Sequence, residues 1–210
     1  MSRQNKVIQE LIDKTMKELA GAKKTRATSR SWNSSQGYKF LIQWSNLALL
    51  RILIRKLTDT LPRSEYRSKT QIDDAARSTV ANIEEGYKRS TTSEYKQFIG
   101  YSQGSLEEVK GDIERFLQDG LLKSIKGSSL KDLGIDLKTW NTWCRNPVNS
   151  SKLLYFPLNS FKGKYRNLEE LKGSDLTYEI FIELINKTDW LLRKLVQSLE
   201  RKIQNDKLNI

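Results

Sequence analysis

The stretch Ala75–Glu108, AARSTVANIEEGYKRSTTSEYKQFIGYSQGSLEE, constrains the fold more than any other. Two helical patterns meet in it at one polar turn. In the first, Ile72, Ala76, Thr79 or Val80, and Ile83 share one face at three- and four-residue steps. Gly86 stands where that helix is expected to end. Thr91, three residues before Glu94, reads as a capping box that opens the next helix. From there Tyr95, Phe98, Ile99, Ser102, Leu106, Val109, Ile113, Phe116 and Leu117 fall on the inward face. Small residues recur in both segments, with Ala75, Ala76, Ser78 and Ala81 in one and Gly100, Gly104 and Ser105 in the other. They allow a tight antiparallel helix pair.

A third helix is expected over 37–61, stopped by Pro62. Its LALLRILI run is apolar nearly all round, which requires burial on more than one side. One side faces the core of a bundle. A second subunit is the simple cover for the other, with Trp44, Leu47, Leu50 and Ile54 as the oligomer interface; the segment before the last helix is the alternative cover. Ser68 with Gln71 reads as a second capping box, opening a helix over 69–86. Asp175 reads as the N-cap of a last helix over 175–206, where Leu176, Ile180, Phe181, Leu184, Ile185, Leu191, Leu192, Leu195, Leu199 and Ile203 repeat at three and four. The fold class expected is all-α. It is an antiparallel up-down four-helix bundle over 37–122 and 175–210, with an N-terminal helical arm and an irregular insertion over 123–174.

The chain of 210 residues carries a net charge of +12, and the excess is localised. Residues 1–36 carry +5, residues 37–120 only +1, residues 121–174 carry +6, and residues 175–210 are neutral. A basic excess confined to certain segments is the electrostatic footprint of a polyanion binder. Residues 3–20 form an amphipathic stripe through Val7, Ile8, Leu11, Ile12 and Leu19, too short to be stable alone in water. Residues 21–36 read as a linker holding Lys23, Lys24, Arg26 and Arg30 without an acid; Trp32 there either stacks on a base or anchors the linker.

The insertion mixes aromatic and basic residues. LKTWNTWCRN is expected to make a short helical turn carrying Trp140 and Trp143. KLLYFPLNSFKGKY has the composition of a strand, with Pro157 arguing for an edge or a loop. In it Tyr155, Phe156, Phe161 and Tyr165 interleave with Lys152, Lys162, Lys164 and Arg166, a pattern used on single strands and RNA loops. The competing reading is that the tryptophans and Phe156 build a small satellite core, since large aromatics usually bury. The basic residues of that run, with those of the linker, are the candidate nucleic-acid-binding set.

Several chemistries are disfavoured. The chain has one cysteine, Cys144, and no histidine, so the usual zinc and iron constellations and the commonest general base are missing. Glu84 and Glu85 beside Arg77 and Asn82 read as a solvated face and ion-pair partners for Arg77 and Lys88, not as a catalytic pair. No metal, no cofactor and no catalytic residue are expected. The start, MSRQNKVIQELIDK, lacks the apolar core of a signal peptide, and no stretch reaches the ~18 apolar residues of a membrane span. A cytoplasmic protein without membrane contact is expected.

The residues Ala76, Arg77, Ser78, Ala81, Asn82, Ile83, Glu85 and Gly86 resemble the A-R-S-I-P-A-N-I-A-E-G motif of the four-helix-bundle family of the 23S rRNA intervening-sequence protein. Ser93, Glu94, Tyr95, Phe98 and Ile99 match its S-x-x-E-[FY]-x-x-F-L motif, and Gly104, Ser105, Leu106 and Glu108 its G-S-L-x-E-L motif. The likeness covers roughly 37–122 and, more loosely, 175–206. One related branch is the accessory variability determinant of diversity-generating retroelements, a basic homopentameric barrel that binds a reverse transcriptase and nucleic acid. The resemblance therefore implies a homo-oligomer, with a pentamer favoured, RNA as the nucleic acid, and a reverse transcriptase as a further partner. The reading reached is a non-catalytic oligomeric scaffold on structured RNA or an RNA–protein complex. Its rival is a protein–protein interaction module with no nucleic-acid role.

Overall fold

The computed structural model describes residues 35–159 and 165–208. Its elements are helical: α1 (Ile42–Thr58), α2 (Tyr66–Lys88), α3 (Thr92–Gln118), α4 (Leu137–Arg145) and α5 (Tyr178–Leu208), joined by short 3-10 turns. Among the described residues there is no strand; Pro157 and Asn167 form an isolated antiparallel bridge. No helix among them is long and apolar enough to cross a membrane. The expected arm over 3–20 and linker over 21–36 lie outside the described residues, except for the last two linker positions.

Local chemistry explains where the helices start and stop. Thr91 and Glu94 form the expected capping box: the Glu94 N–H donates to the Thr91 hydroxyl at 3.1 Å and the Thr91 N–H to the Glu94 carboxylate at 3.2 Å. The second expected box does not form. The chain leaves Pro62 through a 3-10 turn and α2 is under way by Tyr66, so Ser68 lies inside it and donates to Glu65. The first helix is shorter than 37–61, because Leu41 is extended (φ −80°, ψ 126°) and separates a 3-10 turn over Gly37–Phe40 from α1. Asp175 does not cap α5; it ends a 3-10 turn over Gly173–Asp175, and its carboxylate accepts from the Tyr165 hydroxyl.

Each long helix packs on two others: α1 on α2 and α5, and α3 on α2 and α5. Between α1 and α2, the Trp44 indole donates to Glu84 at 2.9 Å and Arg55 pairs with Asp73 at 2.7 Å. Between α2 and α3, Ser102 donates to the Thr79 carbonyl at 2.8 Å, and Gly86 faces Phe98. Gly86 therefore does not end α2, which runs to Lys88. It is buried at a helix crossing, where a Cβ would stand 2.5 Å from the Phe98 Cβ. Gly100 and Gly104, expected in that crossing, face open space. Between α3 and α5 Lys96 pairs with Glu200 at 3.4 Å, and between α1 and α5 Gln43 donates to the Leu191 carbonyl at 3.1 Å.

The all-round apolar character of α1 has its physical counterpart. Every residue from Trp44 to Leu50 is buried, and the insertion supplies much of the cover. Trp140 is wholly buried, donates its indole N–H to the Ser45 carbonyl at 2.7 Å, and meets Phe156 edge-on with ring centres 5.1 Å apart. Trp143 closes on the other side of Phe156 at 5.8 Å. At the far end of α1, Lys56 donates to the Glu169 carbonyl at 2.8 Å, and Gly173 lies so close to the Lys56 carbonyl that a Cβ there would overlap it. The tryptophans thus belong to a satellite core rather than to an exposed stacking surface. Trp44, Leu47, Leu50 and Ile54 are 5%, 0%, 0% and 0% exposed within one chain. They are not available as a subunit interface, because the insertion and α5 already occupy the side left for a second copy.

Candidate nucleic-acid interface

Charge pairing divides the molecule. Among the described residues the ion pairs are Arg55–Asp73, Arg77–Asp74, Arg89–Glu85, Lys96–Glu200, Lys110–Glu107, Arg115–Asp112, Lys187–Glu183 and Arg193–Asp189. All lie on the long helices or, for Arg89, at the C-cap of α2, and none involves 121–174, the most basic segment. There Lys126, Lys131, Lys138, Arg145, Lys152, Arg166 and Lys172 are exposed without an ion pair.

Three of the four acids of this segment, Asp132, Asp136 and Glu170, are engaged by the backbone instead. Asp132 accepts from the Ser129 N–H at 2.7 Å and so caps the turn Leu130–Leu133. Asp136 caps α4, accepting from the N–H and hydroxyl of Thr139 at 2.7 and 2.8 Å, and these bonds hold its carboxyl below the usual aspartate value. Glu170 accepts from the Arg166 N–H at 3.2 Å. With three of its four acids directed to main-chain donors, the segment leaves these cations to solvent.

The base of α5 fixes the frame. Glu179 accepts from the Ser124 hydroxyl and from the Ile125 N–H at 2.9 Å, and Glu183 from the Leu130 N–H at 2.8 Å. Partial burial works against the Glu179 charge, but these hydrogen bonds outweigh it and keep the carboxyl below its ordinary value. The clamped loop borders a cleft of ~890 Å³ lined by Lys123, Lys126 and Lys131, with Asp132, Asp136 and Asp175 also in its wall. Its wall therefore mixes both signs, and the cationic excess lies on the outward surface. A second concavity of ~450 Å³ opens between α1, α4 and α5.

Of the sequence-predicted set, Lys152 and Arg166 are described and exposed. They flank one pair of crossing loops, joined by Leu158 N–H to the Arg166 carbonyl (3.0 Å) and Leu168 N–H to the Phe156 carbonyl (2.9 Å). These two bonds are all that the strand-like composition produces. Tyr155 beside them is exposed, while Phe156 and Tyr165 are buried. Lys23, Lys24, Arg26, Arg30, Lys162 and Lys164 lie outside the described residues, as do Trp32 and Phe161. Sequence reasoning missed Lys126, Lys131, Lys138, Arg145 and Lys172. The run LLKSIKGSSLKD, with lysines three and five residues apart, was the available signal.

The carboxylates of α2 are accounted for structurally: Glu84 receives Trp44 and Glu85 pairs with Arg89, while Arg77 turns to Asp74. Residues 39–139, a little under half of the chain, match the family described as 23S rRNA-intervening sequence protein. The match takes in α1, α2 and α3, continues past Leu122 into the first turn of α4, and leaves out α5. No curated protein and no solved structure matches the chain. Over residues 39–139, which carry the motifs around Ala76–Gly86, Ser93–Ile99 and Gly104–Glu108, the chain is similar to the family described as 23S rRNA-intervening sequence protein.

Proposed function

We propose that this protein is a non-catalytic, cytoplasmic scaffold that associates with structured RNA through the cations of 121–174. The observation that carries the reading is the division of charge pairing. The long helices hold the ion pairs and are nearly balanced in charge, +1 over 37–120 and neutral over 175–210, while the insertion carries +6 and holds exposed lysines and arginines without an ion pair. Such cations gain most from a polyanion, since each phosphate contact releases counterions. The family's name supports RNA as that polyanion. We also infer that α1, α2, α3 and α5 form an antiparallel up-down bundle. Along α1–α2 and α2–α3 the contacts join rising numbers on one helix to falling numbers on the other, as in Trp44–Glu84 with Arg55–Asp73 and in Thr79–Ser102 with Gln71–Asp112. Subunits in a ring would multiply weak basic contacts, and any such ring uses a surface other than the buried core of α1.

The test is filter binding of a structured RNA at about 50 and about 200 mM salt. Steep loss of affinity with salt is expected. In Lys126→Gln/Lys131→Gln/Lys138→Gln, and in Lys152→Gln/Arg166→Gln, the salt slope should fall by roughly one for each phosphate contact removed. Absence of binding at the lower salt sinks the reading and favours a protein-interaction module. A reverse-transcriptase partner remains a proposal from resemblance; a neighbouring reverse-transcriptase gene with template and variable repeats supports it, and the absence of one counts against it.

A further inference from the structure

The concavity between α1, α4 and α5 holds a polar group that the fold leaves unanswered. Asn46 is 1% exposed, lines this ~450 Å³ space, and its Oδ1 has no hydrogen-bond partner. Buried amide oxygens are nearly always paired, so an orphan in a cavity wall points to a missing donor. Asn141 lines the same space, and its Oδ1 accepts from the Ser45 hydroxyl. That bond commits the Asn141 oxygen and leaves its NH₂ as the donor. The cavity thus offers an acceptor and a donor from adjoining amides. Ile42, Leu137 and Leu191 supply apolar wall.

Trp190 completes the site. It lines the cavity yet is 59% exposed, in contrast to the buried tryptophans Trp44 and Trp140. The Lys194 ammonium lies 5.6 Å from its ring centre. A largely exposed indole, a cation over one face of its ring and a donor–acceptor pair in the same cavity wall match one ligand chemistry: a flat heteroaromatic ring with adjacent donor and acceptor, stacked on the open part of the indole and attached to an anion. We propose that this cavity takes an unpaired nucleobase, stacked on Trp190 and held by its Watson–Crick edge on Asn46 and Asn141. Every base offers a neighbouring donor and acceptor on that edge, so no base preference follows. A paired base has that edge occupied, so single strands are selected over duplex. The proposal rests on the RNA-scaffold reading only for the source of the base, which a free nucleotide supplies equally well.

The experiment measures affinity for a mixed-sequence RNA octanucleotide, alone and as a duplex, together with quenching of tryptophan fluorescence by adenosine monophosphate. Trp190→Ala, at an exposed position, is expected to weaken single-strand binding by about 5- to 100-fold, the loss of one stacked base. The salt slope should be unchanged, because no charge is removed. Trp190→Phe should recover most of the affinity, and duplex binding should respond to neither variant. Quenching by the mononucleotide should vanish in Trp190→Ala. Single-strand binding equal to wild type in Trp190→Ala overturns the proposal, and the lysine variants still report on the scaffold reading in that case. Quenching by the mononucleotide without RNA binding by wild type keeps the nucleobase pocket and overturns the scaffold.

Discussion

The indole N–H of Trp140 donates to the backbone carbonyl of Ser45 at 2.7 Å, across ninety-five residues of sequence. Both partners are buried, and the bond fastens the insertion to the first long helix. Trp140→Ala removes the largest side chain at this seam and should cost about 3–5 kcal/mol. Trp140→Phe keeps most of the apolar volume and should cost about 1–2 kcal/mol, mainly the lost hydrogen bond. Urea denaturation of the two variants checks the order.

Glycines on the α2–α3 pair should respond in opposite directions. Gly86→Ala gains helix propensity but drives its methyl against the Phe98 Cβ, so the crossing must open and the protein should lose stability. Gly100→Ala and Gly104→Ala meet nothing within 4 Å and should each stabilise by up to about 1 kcal/mol. Thermal melts of the three single variants decide it.

The Thr91–Glu94 box carries a pH signature. The Thr91 hydroxyl, more than any other group, holds the Glu94 carboxyl below its ordinary value. A carboxyl depressed in the folded state contributes stability above its unfolded pKa and loses it as pH falls through the folded value. Thr91→Ala should cost about 1 kcal/mol near neutral pH. The gap from wild type should narrow as pH falls below the ordinary glutamate range, as urea titrations at pH 7 and pH 3.5 would show.

Burial pushes the Cys144 thiol up to about 12, so almost no thiolate is present at pH 8. Ellman's reagent should react with the native protein only at the rate at which it opens, and at once in denaturant. Fast reaction under native conditions would contradict the packing around α4.

What was legible in the sequence was local or periodic. The Thr91–Glu94 box declares itself within four residues, and the apolar run along 47–54 announces burial on more than one side. The same four-residue spacing at Ser68 and Gln71 misled, because a turn just after Pro62 had already nucleated the helix. The identity of the cover over α1 was not legible. It depends on Trp140, Gly173 and α5, whose positions relative to α1 are set by loops with no period. Within the candidate site, interleaved aromatics drew attention to Lys152 and Arg166. The lysines at 126, 131 and 138 are spread singly along the insertion, and their lack of ion pairs emerges only once Asp132 and Asp136 are seen capping the backbone.

The wrapping of α1 has a temporal side. A ribosome finishes Thr58 long before it reaches Trp140, and Gly173 later still. At about 5–20 residues per second the nascent chain spends on the order of ten seconds with that greasy segment finished and one flank bare. A polypeptide arranged in this order leaves its earliest described helix waiting for company that is made last.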